Sequence, residues 1–413
     1  MSYHRVVVTG MGVISSIGNN LKNFTDSLRA GVIGIRPITK VQVTESPVKL
    51  AAEVVGYDPE IDIPKKEVKR MDTFTQYAMS AAAQAMAQSG LDLDKIDKKR
   101  MGVIIGSGIG GMETFEEEVV KMYEKGGIRI APLFIPMMIG NMAAGMVAIR
   151  YGARGVCTNV VTACASSGNT IGEAFRNIRH GYSDVIIAGG AEATITRAAV
   201  AGFNALKAIS QSDDPLRASI PFDAERNGFI IGEGSGILIL ENYDKAKARG
   251  AQILAEIVGY GTNCDAYHMT APTPDGQGAS DCMTLAVEDA GIDPAKIDYI
   301  NAHGTSTPLN DAAETAAIKR TFGDHAANLL VSSTKSQIGH LLGAAGAVET
   351  IATITAMREG FVPATMGLKV RDPECDLNYV PNASIDKQID YALSNNFGFG
   401  GHNATLCIKR WED

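Results

Sequence analysis

The chain has 413 residues, of which 45% are hydrophobic and 20% are charged, and this balance excludes a disordered or fibrous protein. At about 150 residues per domain, this length predicts two or three domains. The net charge of −8 argues against a general nucleic-acid-binding function, because phosphate recognition requires a basic surface.

The six cysteines indicate a reducing environment. They form no CxxC pair and their spacings are irregular, which argues against a disulfide scaffold and against a structural zinc site. The first residues, MSYHRVVVTGMGVISSIG, lack the charged and apolar regions of a signal peptide. We therefore expect a cytoplasmic protein.

Short runs rich in Val and Ile alternate with helical patterns along the chain. The runs that predict buried strands are 5–9 (RVVVT), 102–106 (GVIIG), 184–188 (DVIIA) and 404–408. The segments 73–89, which Gly90 closes, and 171–179 predict helices. This alternation predicts an α/β fold with a largely parallel sheet.

One stretch has the length of a membrane span. The twenty residues from 130 to 149 carry no charge. However, Pro132 and Pro136 interrupt the first half, and Asn141 lies in the middle. We predict a loop and a buried helix that begins near Pro136, and no membrane span.

The chain also repeats itself at a constant offset of 201 residues. Each copy has a helix, a Gly that ends it, a short loop and a strand. The aligned residues are Gly90, Asp92, Lys95, Ile96 and Asp97 in the first copy and Gly291, Asp293, Lys296, Ile297 and Asp298 in the second. We predict two related halves, residues 1–258 and 259–413, with a site at their interface.

A glycine-rich turn resembles a dinucleotide-binding motif. Gly106, Gly108 and Gly111 match GxGxxG between a predicted strand and a predicted helix. The helix opens with Glu113 and Glu116, whose charge would repel a pyrophosphate, and no second strand ending in an acidic residue follows. We therefore predict no dinucleotide site here.

Cys164 is the first candidate for chemistry. It lies in VTACASSG, between an apolar run and a helix. The unpaired N–H groups and the dipole of a helix N-terminus favour a thiolate over a thiol, and the same groups could bind an oxyanion. The alternative is a small buried cysteine without a reaction.

Two histidines follow in the second half. His303, in NAHGTSTP, comes directly after a short strand, at the sheet edge where α/β sites lie. His340 lies in SSTKSQIGHLLGAAGAVE, whose Lys335 and Glu349 are expensive to bury unless they pair. A structural histidine and a satisfied core cluster are the respective alternatives.

Two further patterns are less specific. The segment 395–402 (NNFGFGGH) contains glycines that would let a backbone approach a ligand, or would form a tight turn before the last strand. Cys264 and His268 have a spacing that is possible for metal ligands, but no second pair accompanies them. We expect no metal site there.

Taken together, these motifs resemble the elongating β-ketoacyl-[acyl-carrier-protein] synthases of the synthase II type. The resemblance spans essentially the whole chain. It rests on RVVVTGMGVISSIG, TACASS, PFDAERNGFIIGEGSG, NAHGTSTP, SSTKSQIGHLLGAAGAVE and FGFGGHN, in that order. It implies a thiolase-like fold in which duplicated halves form a five-layered α/β/α/β/α sandwich.

The resemblance also implies an activity. Cys164 would take an acyl group from an acyl carrier protein, and His303 and His340 would support decarboxylation of malonyl carrier protein and extension of the chain by two carbons. No metal or redox cofactor is required. A Cys-His-His set resembles the elongating enzymes, whereas Cys-His-Asn or a second Cys would suggest initiating synthases or thiolases that use coenzyme A. A non-catalytic chain-length subunit would lack Cys164.

Further roles are implied residue by residue. Lys335 and Glu349 would support His340. Phe399 would gate the acyl pocket and supply a backbone N–H to the oxyanion hole. The implied substrate contacts are Thr305 and Thr307 for the pantetheine arm, and Ile109 and Phe134 for the acyl chain, with Phe134 reaching across a homodimer interface.

The implied partner is an acyl carrier protein, which is acidic. Basic residues of this chain would form its docking face: Lys65, Lys66, Lys69, Arg70, Lys125, Arg129 and Lys207. One residue departs from the family pattern, because Asn396 stands before the Phe-Gly-Phe-Gly-Gly loop where Ser or Thr is usual. We expect this change to affect the gate loop or the substrate range and not the chemistry.

Overall fold

The computed structural model describes residues 3–42, 46–127 and 129–412. The strands are β1 (Val6–Ile14), β2 (Arg36–Pro37), β3 (Leu50–Ala51), β4 (Met101–Gly106), β5 (Cys157–Thr158), β6 (Val185–Glu192), β7 (Gly234–Asn242), β8 (Ala255–Cys264), β9 (Tyr299–Asn301), β10 (Leu330–Ser332), β11 (Phe361–Val362), β12 (Ile385–Asp386), β13 (Tyr391–Gly398) and β14 (His402–Arg410). The helices are α1 (Leu21–Ala30), α2 (Lys65–Val68), α3 (Thr73–Ser89), α4 (Met112–Glu124), α5 (Phe134–Met138), α6 (Met142–Tyr151), α7 (Ser166–Arg179), α8 (Arg197–Ala205), α9 (Tyr243–Ala248), α10 (Gln277–Ala290), α11 (Pro308–Phe322), α12 (Lys335–Ile338) and α13 (Ala345–Glu359).

The duplication is visible in the order of the strands. Ten strands form one sheet in the order β10-β9-β13-β14-β8-β1-β7-β6-β4-β5. The first half contributes β1, β4, β5, β6 and β7 to this sheet, and the second half contributes β8, β9, β10, β13 and β14. From the junction of β1 and β8 outward, each half has its strands in the same order: the first, fifth, fourth, second and third along the chain. In both halves the first two neighbouring pairs are antiparallel and the last two are parallel. The α/β class is confirmed, but the sheet is mixed, and the prediction of a largely parallel sheet is wrong.

The two halves meet at a strand seam. Val6, Val7 and Val8 of β1 pair antiparallel with the first residues of β8. The Arg5 guanidinium donates to both carboxylate oxygens of Glu256 at 2.7 and 2.6 Å beside this seam. The predicted boundary at 258/259 falls within β8, which is the first strand of the second half, and stays a prediction.

Helices complete the layers. α3 and α6 cover the outer face of the first five strands, and α10 and α11 cover the second five. α7 and α13 lie between the two sets of strands, and both are largely buried. A Cβ built on Gly346 of α13 would stand 2.6 Å from the backbone nitrogen of Gly168 in α7, so only glycine fits at this crossing. This arrangement confirms the predicted five-layered sandwich.

The predicted helix ends are confirmed where a glycine marks them. Gly90 and Gly291 end α3 and α10 with φ of 60° and 64°, in agreement with the repeat. The apolar stretch 130–149 divides into α5 and α6, and the prediction of one buried helix that begins near Pro136 is wrong: α5 has no buried residue, and the buried positions lie on α6, which begins at Met142. No helix in the described ranges is long and apolar enough to cross a membrane.

Candidate active site

Cys164 lies on a tight turn at the start of α7. The turn spans Ala163–Ala165, and Ala163 has a φ of +49°, a conformation that L residues rarely adopt. The Ser166 hydroxyl donates to the carbonyl of Ala163 at 2.7 Å and accepts from the N–H of Thr162 at 2.9 Å. These two bonds hold the strained turn, and α7 begins directly after it.

The environment of the Cys164 thiol differs from the expected one. Burial raises its pKa to about 12, although the Lys335 ammonium and the backbone N–H groups of Phe399 and Cys164 act in the opposite direction. Of these groups, the N–H of Cys164 belongs to the predicted helix start, whereas Lys335 and Phe399 lie on other elements. Burial outweighs all three, so Cys164 rests as a thiol. The thiol must therefore lose its proton as it attacks a substrate.

His303 and His340 meet Cys164 from the second half. The Cys164 sulfur and one ring nitrogen of each histidine all lie within 4.8 Å of one another. The two imidazole rings are edge-to-face, with centroids 5.3 Å apart. A different part of the fold places each group. Cys164 lies on the turn that leads into α7, His303 follows β9, and the backbone of His340 pairs with that of Ile231.

Both imidazoles are held neutral. Burial is the main reason that the pKa of His303 and of His340 lies well below 6.5, and the nearby Lys335 ammonium lowers both further. Neither Nδ1 atom has a hydrogen-bond partner among the described residues. Neutral imidazoles can present N–H donors to a substrate oxygen at neutral pH.

Lys335 and Glu349 form the predicted buried ion pair, and both side chains are 1% exposed. The Asn396 side-chain N–H donates to the other oxygen of Glu349 at 2.7 Å. Burial raises the pKa of Glu349, whereas the contacts with Lys335 and Asn396 lower it. This pair is the source of the positive charge that acts on all three reactive side chains.

A cavity of about 280 Å³ opens onto Cys164, His303 and His340. Its walls include the predicted pantetheine contacts Thr305 and Thr307, whose hydroxyls are hydrogen-bonded to each other at 2.9 Å. The remaining predicted residues on its walls are Phe399 and Lys207.

Ile109 and Phe134 do not line this cavity. Ile109 is half-exposed, and Phe134 stacks on Phe115 with ring centroids 6.2 Å apart. Within the single chain the structure therefore does not bring these two residues to the site, and their contact with the acyl chain stays a prediction.

The predicted docking residues are all on the surface. Lys65 and Lys66 lie on α2 with Lys69 and Arg70 directly after it, and all four are exposed, as are Lys125, Arg129 and Lys207. Lys207 is the member of this set that also lines the cavity. The other six residues are not brought to the cavity walls.

Two buried glutamates were missed by the sequence analysis. Glu314 accepts the backbone N–H groups of His303 and Gly304 at 2.8 Å each, and so positions the His303 turn. Glu192 accepts from the backbone of Gly108 at 2.7 Å and of Gly343 at 2.9 Å. A lone Glu in the alanine-rich run 312–317 was the available signal for Glu314.

Glu192 also explains the GxGxxG turn. The N–H groups of Gly108 and Ile109 donate to its carboxylate, and Ser107 donates its hydroxyl at 2.9 Å. The turn therefore binds an anion, but the anion is an internal carboxylate and not a pyrophosphate.

Cys164, His303 and His340 are residues of the types that bind metal ions. In the described part of the chain, Cys164, His303 and His340 are the sole group of three or more His, Cys, Asp or Glu donors close enough for this. The Lys335 ammonium, which depresses the pKa of both histidines, opposes any further cation there. His268 uses Nδ1 to accept from Thr270 and Ala271 at 3.1 Å. The prediction that the chain has no metal site stays a prediction.

Comparisons with known proteins agree with this geometry. Residues 3–246 match the family "Beta-ketoacyl synthase, N-terminal domain", and residues 254–369 match "Beta-ketoacyl synthase, C-terminal domain". The chain is 49% identical over 409 residues to 3-oxoacyl-[acyl-carrier-protein] synthase 2 of Synechocystis sp., covering 99% of this chain and 98% of that protein.

Solved structures show the same fold. A β-ketoacyl synthase from Burkholderia phymatum STM815 superposes with a TM-score of 0.92 at 38% identity, covering 99% of this chain and 100% of that one. A type II PKS ketosynthase, solved in complex with its acyl-carrier protein, superposes with a TM-score of 0.90 at 33% identity, covering 100% of both chains. The chain belongs to the β-ketoacyl synthase family.

Proposed function

We propose that this enzyme condenses malonyl-[acyl-carrier-protein] with an acyl group held as a thioester on Cys164, and so extends fatty acids by two carbons. The single observation that carries the proposal is the cluster of one thiol and two neutral imidazoles within 4.8 Å of one another at the end of a cavity. This set contains a nucleophile and two N–H donors, which are the groups that the two half-reactions need.

In the first half-reaction, the Cys164 sulfur attacks the thioester carbonyl of an acyl carrier protein. The backbone N–H groups of Cys164 and Phe399, which face the sulfur, would donate to the developing oxyanion. The sulfur–carbon bond forms as the bond to the carrier thiol breaks. The proton of the Cys164 thiol passes to the departing carrier thiol, so the site returns to neutrality.

In the second half-reaction, His303 and His340 donate N–H groups to the thioester oxygen of malonyl carrier protein. The bond to the carboxylate breaks, CO₂ leaves, and the electron pair becomes an enolate. Its carbon attacks the acyl-Cys164 carbonyl, the bond from that carbonyl to the Cys164 sulfur breaks, and the released thiolate takes up one proton from the solvent. Because both imidazoles are neutral, they stabilise the enolate without first losing a proton.

Cys164→Ala should abolish covalent acylation. Intact-protein mass spectrometry after incubation with acyl carrier proteins bearing short, medium and long chains should show a mass gain of one acyl group in the wild-type protein alone. The ranking of the chains would also give the chain-length preference. Cys407→Ala is a matched control, because Cys407 is equally buried but lies in β14, away from the cavity.

Absence of an adduct from every carrier-bound chain, in protein shown to be folded, would contradict the proposal. An adduct formed only from coenzyme A thioesters would point to an initiating synthase or a thiolase. An adduct that survives Cys164→Ala would place the nucleophile elsewhere.

We also propose an acidic acyl carrier protein as the partner. The exposed residues Lys66 and Lys69 at α2, and Lys207 at the cavity rim, support a basic docking face. Lys66→Glu combined with Lys69→Glu should raise the KM for carrier protein about ten-fold with little change in kcat, because the mutations slow association.

This effect should shrink at high salt, since surface charges are screened. The control is Lys95→Glu combined with Lys99→Glu, because these residues precede β4 at the end opposite the Ser107 turn. If both double variants changed the KM equally, the effect would come from the net charge of the protein, and α2 would not be the docking face.

A homodimer is the proposed assembly. β5 lies at the edge of the sheet, and both of its residues are exposed. Large apolar side chains nearby in sequence are also exposed: Ile135 at 54%, Ile149 at 73% and Val161 at 60%. An open edge strand with apolar neighbours suits pairing with a second copy. Such pairing would allow Phe134 and Ile109 to take part in the acyl pocket, as the family resemblance implies.

A further inference from the structure

Asn396 is a buried residue that contacts the ion pair of Glu349 and Lys335. It lies in β13, its side chain is fully buried, and its N–H donates to Glu349 at 2.7 Å. Glu349 in turn pairs with the Lys335 ammonium. This side chain is therefore one contact away from the positive charge that acts on Cys164 and both histidines.

The packing fixes the position of this amide. A Cβ built on Gly346 would stand 2.4 Å from the Asn396 Oδ1 atom, and one built on Gly168 would stand 2.6 Å from it. Gly168 lies on α7, which begins at the Cys164 turn, and Gly346 lies on α13, which carries Glu349. The amide thus fills the space at the crossing of the two central helices and has little freedom to turn away from Glu349.

The residue type matters for reach. The donor nitrogen of Asn is two bonds from Cβ, whereas the hydroxyl oxygen of Ser is one bond from it. The amide therefore reaches Glu349 directly, and a hydroxyl at the same backbone position would fall short. We propose that Asn396 is a positioning residue that holds the Glu349 carboxylate in its ion pair with Lys335 and thereby controls the reactivity of Cys164. This inference rests on the proposed function of Cys164 as nucleophile, and it differs from the expectation drawn from the sequence, which limited the effect of Asn396 to the gate loop or the substrate range.

The physical reason lies in the position of the ion pair. The Asn396 donor lowers the pKa of Glu349. Without this donor the Glu349 carboxylate loses one of its two partners and is free to shift, and the Lys335 ammonium that pairs with it then no longer keeps its position toward Cys164. The charged and titratable groups that face this system are Lys335, Tyr299 and Glu192, together with the two histidines. Of these, the Lys335 charge favours the Cys164 thiolate, whereas Glu192 opposes it.

Asn396→Ala and Asn396→Ser are expected to slow alkylation of the Cys164 thiol by iodoacetamide about five- to ten-fold near pH 7, and to move the alkylation profile to higher pH. The KM for acyl carrier protein should not change, because Asn396 does not line the cavity. Ser394→Ala is the matched control. Ser394 is two residues earlier in the same strand, it is buried, and its hydroxyl has no partner among the described residues.

A second measurement separates positioning from packing. In the background Lys335→Met with Glu349→Leu, which lacks the ion pair, Asn396→Ala should produce no further change in the alkylation rate. Two results would overturn the inference. One is an equal slowing of alkylation by Asn396→Ala in that background, and the other is alkylation at the wild-type rate in folded Asn396→Ala and Asn396→Ser. Alkylation needs no carrier substrate, so this result is distinct from a failure of the proposed condensation.

Discussion

His340→Ala is expected to lower the rate of CO₂ release from malonyl carrier protein about 10²- to 10³-fold, which is the typical cost of losing one oxyanion donor. His303→Ala should have a similar effect, because the two neutral imidazoles lie side by side, 5.3 Å apart. Acylation of Cys164 should be affected much less, since the oxyanion donors proposed for that step are backbone N–H groups. CO₂ release and acyl-adduct formation measured on the same samples separate the two half-reactions.

The protonation state of the histidines adds a pH test. The pKa of each imidazole is lowered well below 6.5, so both stay neutral as the pH falls from about 8 to about 6.5. Decarboxylation by the wild-type enzyme should therefore show no loss from imidazole protonation in this interval. His325→Ala is the control, because His325 lies after α11 and bonds the carbonyl of Ile297, away from the cavity. Full CO₂ release by both cavity variants would refute the assignment.

Glu349→Gln is expected to lower the free energy of unfolding by roughly 3–5 kcal/mol, because it leaves the buried Lys335 ammonium without a counter-charge. Urea denaturation at a fixed protein concentration would measure this loss. Asp26→Asn is the matched control, since its pair with Lys22 is on the surface, with side chains 64% and 81% exposed, and should have little effect.

Removal of both partners distinguishes stability from function. Lys335→Met with Glu349→Leu replaces the buried ion pair by apolar side chains and should recover most of the lost stability. It should not recover activity, because the charge that opposes the high pKa of the Cys164 thiol is gone. A stable and fully active double variant would show that the pair has a structural role alone.

The sequence predicted those parts of the fold that have local signals. Gly90 and Gly291 mark the ends of two equivalent helices, and residues 73–89 form the predicted helix. The direction of the strands was not predictable in this way, because β1 and its antiparallel neighbour β7 contain apolar runs that look the same in either orientation. The predicted strand at 5–9 extends to Ile14 in the structure, since Gly10 and Gly12 pack against the backbone of α3 and do not end the strand.

The sequence predicted the part of the site that consists of Cys, His, Lys and Glu residues in recognisable motifs. Cys164, His303 and His340 meet as expected, and Lys335 pairs with Glu349. The resting state of Cys164 was not predictable, because burial depends on packing between the two halves. Glu192 and Glu314 were missed for a related reason, since a carboxylate that accepts backbone N–H groups has no fixed spacing in sequence.

The seam between β1 and β8 limits how the enzyme can move. Many two-part enzymes admit substrate when their lobes rotate about a hinge, but here the two halves share backbone hydrogen bonds and a single sheet. Rotation of one half against the other would break those bonds and separate Cys164 from the histidines. We therefore expect substrate entry to depend on short loops and single side chains at the cavity mouth, with Cys164, His303 and His340 held in one rigid frame.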